Sequence, residues 1–128
     1  MSIRIAGKRV EDNPLLHIQR VLSAADKLLT ERFGVINPEQ AEALHIIQRS
    51  AQQFELLMRY ADDTASANAR RFLSYETRET LTSVLGYSEM LADSAYGSLN
   101  ADQMQQVFTL RASGKMLLVW LDDLLAAR

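Results

Sequence analysis

Histidine and cysteine carry much of the nucleophilic, proton-transfer and metal-ligating chemistry available near neutral pH. This chain of 128 residues has two of the first, His17 and His45, and none of the second. Thiolate catalysis, disulfides and Cys-ligated zinc or iron–sulfur centres are therefore excluded. Each histidine falls in a stretch of helical spacing, where an imidazole can receive a phosphoryl group or simply serve as surface or a packed edge. The acidic pairs Asp62–Asp63 and Asp122–Asp123 suit either a cation or solvated helix ends; the second reading needs no metal and is preferred. No G-x-x-x-x-G-K-[ST] phosphate loop occurs, so neither ATP binding nor hydrolysis is expected. No enzymatic activity and no cofactor are expected.

The balance of 14 Lys+Arg against 16 Asp+Glu gives a formal net charge of −2, which argues against broad electrostatic binding to nucleic acid or anionic membrane. The first residues, Met1–Asp12, alternate Ile3 and Ile5 with Arg4 and lack the apolar run of a secretory leader; they read as an N-terminal arm. The apolar stretch Met116–Leu121 is far short of the ~20 residues that span a bilayer. A cytoplasmic location without a membrane span is the expectation. With 48% hydrophobic residues, five Gly and two Pro, the chain has the composition of one helical domain.

A repeat organises the helices. Gly34-Val-Ile-Asn37-Pro-Glu-Gln40 and Gly97-Ser-Leu-Asn100-Ala-Asp-Gln103 share Gly, Asn and Gln at a constant offset of 63 positions. The same offset pairs Val21 with Val84, Leu22 with Leu85, Leu28 with Leu91 and Ser50 with Ser113, which suggests a duplicated unit. In each turn the Gly can take the left-handed conformation that ends a helix, and the Asn can cap the next one. Gln40 and Gln103, three residues on, can reach back to the cap N–H, while Ile36 and Leu99 can act as staples. The rows Leu44, Ile47, Ala51, Phe54, Met58, Ala61 and Val107, Leu110, Gly114, Leu117, Leu121, Leu124 each occupy one helical face.

These signals predict an all-α protein: four helices at roughly 13–33, 38–62, 66–96 and 101–126, forming hairpins 13–63 and 66–126 of a single domain. The joint Asp62–Asn68 has no Gly or Pro, so one long rod is one outcome. The cluster of Asp, Thr, Ser and Asn favours a break, which folds the two tandem hairpins into an antiparallel four-helix bundle within the chain. Leu117–Leu121 make the last helix apolar on more than one face, fitting either a wide core or a further contact.

Ser74-Tyr-Glu-Thr-Arg-Glu-Thr-Leu-Thr-Ser-Val-Leu-Gly-Tyr-Ser-Glu-Met-Leu91 resembles the first helix of the dimerisation and phosphoacceptor domain of sensor histidine kinases, S-H-E-L-R-T-P-L-T-x-I-L-G-Y-S-E-x-L. Ser113-Gly-Lys-Met-Leu-Leu-Val-Trp-Leu-Asp-Asp-Leu-Leu125 resembles that family's second helix, and together the matching segments cover about half of the chain. The resemblance implies a hairpin that pairs with another into a bundle and docks receiver domains of response regulators. Tyr75 stands at the place of the phosphoacceptor His, and Thr80 at that of a helix-bending Pro. Glu76 and Arg78 match the family's acid and arginine. Glu79 replaces the Thr or Asn that positions a water for dephosphorylation. A phenol of pKa ~10 lacks the neutral imidazole nitrogen such transfer uses.

The expected function is thus a non-catalytic module of two-component signalling that binds a receiver domain or a sensor histidine kinase, with a homo-oligomer as a further partner. The expected docking surface comprises Tyr75, Arg78, Glu79 and Thr82, joined in one patch by the repeat-related Asp12, Leu15 and Gln19. Phosphotransfer through His17 or His45, and a purely structural oligomerisation domain, are the alternatives. Tyr75 is open to two readings besides docking: a phosphorylation target, or an ordinary half-exposed bundle tyrosine.

Overall fold

The computed structural model describes residues 13–62 and 67–126. The chain forms four helices: α1 (Pro14–Leu29), α2 (Pro38–Asp62), α3 (Ala67–Ala92) and α4 (Ala101–Ala126). Among the described residues there is no strand. The Met1–Asp12 arm and residues 63–66 of the joint lie outside the described residues.

α1, α2 and α4 each start where a local cap accepts hydrogen bonds from their free N–H groups. Asn13 Oδ1 accepts from Leu15 N at 2.9 Å, and Pro14 occupies the first helical position. Asn37 and Gln40 form a reciprocal capping box: Gln40 N donates to Asn37 Oδ1 at 2.7 Å, and Asn37 N to Gln40 Oε1 at 2.9 Å. Asn100 and Gln103 repeat both bonds at the same two distances.

The first and third helices end four residues before the positions the glycines suggest. Glu31 and Ser94 adopt left-handed conformations at φ 58° and 60°. Arg32 N then reaches back to Lys27 O, and Ala95 N to Met90 O, closing the six-residue loops of a Schellman ending. Gly34 (φ 130°) and Gly97 (φ 118°) serve the following turn instead.

Each turn is bonded to the other. Asn37 Nδ2 donates to Tyr96 O and Asn100 Nδ2 to Phe33 O, both at 2.7 Å. Gln40 Nε2 donates to Gly97 O and Ser98 O, and Gln103 Nε2 to Val35 O. The 63-residue offset read in the sequence therefore recurs in the hydrogen bonds. A Cβ on Gly34 would lie 2.9 Å from Asn100 Nδ2, and one on Gly97 2.8 Å from Asn37 Nδ2, so the crossing amides need glycine there. Gln40 and Gln103 are buried, and both the oxygen and the nitrogen of each side-chain amide are hydrogen-bonded.

The ring order is α1–α2–α3–α4, each helix packing on its two neighbours and closing between α4 and α1. Neighbours run antiparallel, as the cross-links Gln19–Glu55, Arg78–Asp122 and Glu89–Arg111 require. The second hairpin therefore packs back on the first, giving an antiparallel four-helix bundle of two tandem hairpins. Its core stacks Ile18, Val21 and Leu28 of α1 with Leu44, Ile47 and Phe54 of α2; Leu81, Val84 and Leu91 of α3 and Val107, Leu110 and Leu117 of α4 occupy the matching places. Removing these apolar side chains from water is the main stabilising term of the bundle. Met58 is half-buried where its mate Leu121 is buried.

Candidate partner-binding surface

α3 passes through Thr80 without interruption, since Thr80 Oγ1 donates to Thr77 O at 2.8 Å and the residue keeps its own backbone N–H, which a proline would lack. The continuous helix sets Tyr75, Glu79 and Thr82 along one outer strip, spaced four and three residues apart. Tyr75 is 62% exposed, with its ring on the surface. Thr82 is exposed and its hydroxyl donates to Arg78 O at 2.9 Å. Arg78 turns toward α4 and pairs with Asp122. Glu79 turns the other way, lining with Arg49, Ser50, Gln53, Thr80 and Ser83 an open groove of about 340 Å³ between α2 and α3.

The strip therefore carries an aromatic ring flanked by an Arg–Asp pair on one side and a polar groove on the other. Within two helical turns it presents an aromatic ring, a hydroxyl and both charge signs. Among the described residues, no three His, Cys, Asp or Glu side chains group as a metal site would.

The repeat-related positions lie elsewhere. Leu15 is half-buried against the core, and Gln19 is exposed, its amide donating to Glu55 Oε2 of α2 at 3.2 Å. Asp12 lies outside the described residues. Leu15 and Gln19 lie on α1, which packs between α2 and α4, while the four α3 residues share one helix segment. Sequence spacing within one helix located the first group; adjacency between helices is set by the ring order, which no local spacing encodes.

The two histidines also part company. His17 belongs to the inward row Pro14, His17, Ile18, Val21 and is 3% exposed, whereas His45 faces outward from α2. Asp122, read in the sequence as a solvated helix end, is the cross-helix partner of Arg78; their separation of 44 residues left no local signal. Arg49 and the groove it lines were likewise invisible before α2 met α3. No described helix is long and apolar enough to cross a membrane.

Compared with family models, curated proteins and solved structures, the chain matches none.

Proposed function

We propose that the chain is a non-catalytic interaction module of two-component signalling, acting in the cytoplasm, that binds the receiver domain of a response regulator or a sensor histidine kinase through the outer strip of α3. The observation that carries this reading is Tyr75: it occupies the phosphoacceptor place in a segment resembling the histidine-kinase hairpin, and its ring stands 62% exposed beside Arg78, Glu79 and Thr82. A phenol there retains a surface for docking while removing the imidazole that phosphoryl transfer uses. The phosphotransfer alternative has the exposure of His45 in its favour and the burial of His17 against it.

Calorimetric titration with receiver domains recovered by pull-down tests the proposal. Tyr75→Ala is expected to weaken the complex by about 1–2 kcal/mol, the usual contribution of an aromatic anchor, with the helical spectrum intact. An unchanged affinity moves the docking surface away from α3. Stable radiolabel on the chain after incubation with a phosphorylated receiver, lost in His45→Ala, would favour phosphotransfer instead.

A further inference from the structure

Where α2 begins beside the end of α3, the two helices leave a hollow of about 230 Å³ lined by Glu39, Glu42, Ala43, Ile46, Tyr87 and Tyr96. Two carboxylates, two phenol rings and two apolar side chains make its walls, and no lysine or arginine does. Both glutamates are exposed, and neither enters an ion pair or a hydrogen bond among the described residues. Three residues apart on one helix, they are neighbours of like charge, an arrangement that opposes the helix unless a cation answers it.

The repeat supplies an internal comparison. Across the 63-residue offset, Glu42 corresponds to Gln105 and Tyr87 to Ala24. Both hairpins build the same turn over the same core, so the fold requires neither the second carboxylate nor that ring. Glu39 corresponds to Asp102, and each stands in the first turn of its helix, where a carboxylate complements the helix dipole. Glu42 lies beyond that turn.

We propose that this hollow binds a primary alkylammonium group, carried by a free small amine or by a lysine side chain of a partner. The three N–H donors of such a group are shared between Glu39 and Glu42, and its charge relieves their mutual repulsion. The rings of Tyr87 and Tyr96 attract the same cation, while Ala43 and Ile46 receive its hydrocarbon stem. A calcium ion suits the hollow less, because it takes ~6–8 oxygen ligands and half of this lining is hydrocarbon or ring. The partial charge of roughly +0.5 at the start of α2 opposes any cation, and two full carboxylates outweigh it. The inference does not rest on the receiver reading, since none of these residues belongs to the strip that carries Tyr75.

Titration of the full chain with butylammonium chloride, followed by proton–nitrogen NMR, tests the proposal. The backbone amides of residues 39–46 and of Tyr87 are expected to shift saturably, with a Kd of ~1–10 mM for so small a probe. Sodium chloride at equal ionic strength is expected not to reproduce the shifts. Shifts that fail to saturate by ~100 mM, or that sodium chloride reproduces, overturn the proposal.

Glu42→Gln installs the residue that the repeat carries at the matching place, and the helical spectrum is expected to stay unchanged. It is expected to raise the Kd at least ~10-fold, the effect of losing one charge-assisted hydrogen bond. An unchanged Kd overturns the assignment. Tyr87→Leu keeps an apolar side chain against the core and is expected to weaken binding ~2–5-fold, the range of an exposed cation–π contact. Nα-acetyl-lysinamide binding more tightly than butylammonium assigns the site to a partner's lysine; the reverse order assigns it to a free amine.

Discussion

The Asn37 side-chain amide donates to the Tyr96 carbonyl at 2.7 Å, joining residues 59 positions apart, while the same side chain's oxygen caps α2 by accepting from Gln40 N. One residue thus starts a helix in the first hairpin and holds the turn of the second, and Asn100 does the reverse with Gln103 and Phe33. Asn37→Ala removes both the cap and the cross-turn bond, each worth about 1 kcal/mol, so chemical denaturation is expected to show a loss of about 2 kcal/mol. Asn37→Asp keeps the capping oxygen but sets a carboxylate oxygen against the Tyr96 carbonyl in place of the donor. It is expected to recover at most about half of that loss; a full recovery would mean the bond to Tyr96 contributes nothing.

Ser94 holds φ 60° with an L side chain, where a left-handed residue costs roughly 1–2 kcal/mol relative to its usual conformations. Ser94→Gly is expected to raise stability by about 1 kcal/mol in urea unfolding. Glu31→Gly is expected to give less, because Glu31 Oε2 accepts from Ile36 N at 3.2 Å and glycine forfeits that bond.

Gly97 is the opposite case. Its φ of 118° and the Asn37 amide nitrogen 2.8 Å from a built Cβ leave no room for a side chain. Gly97→Ala is expected to cost about 2 kcal/mol by strain and displacement of the crossing amide. A melting temperature equal to the parent's would show that the turn relaxes freely.

Gly86 sits inside α3 on its exposed side, and a Cβ there meets nothing within 4 Å. Gly86→Ala is expected to stabilise the chain by about 0.5–1 kcal/mol through the unfolded state's lost freedom and the better helix propensity. Thermal unfolding monitored by circular dichroism measures it, and a destabilisation would mean that the glycine has a structural role in α3 that its open surroundings do not reveal.

The Arg78–Asp122 pair links α3 to α4, but its side chains are 42% and 55% exposed. A double-mutant cycle with Arg78→Ala and Asp122→Ala is expected to return a coupling below about 1 kcal/mol that falls further with added salt. A larger, salt-insensitive coupling would make the pair a structural clamp and not part of an accessible surface.

What the sequence determined by itself is local. The caps Asn37 and Asn100 with Gln40 and Gln103 act across three residues, and the inward rows from Leu44 to Phe54 and Val107 to Leu117 repeat every three or four, so helix number, helix type, the two turns and the tandem hairpins were legible. The α3 strip of Tyr75, Glu79 and Thr82 was legible for the same reason, being one face of one helix. Tertiary structure alone decided where α1 and α3 stop, because left-handed Glu31 and Ser94 carry no glycine signal and are held by turns that bond to each other. It also decided which helices neighbour each other in the ring, and that Arg78 finds Asp122. Such relations depend on which helices become neighbours, a choice made by packing whole apolar faces together, and side chains 44 or 59 residues apart acquire partners only after that choice is made.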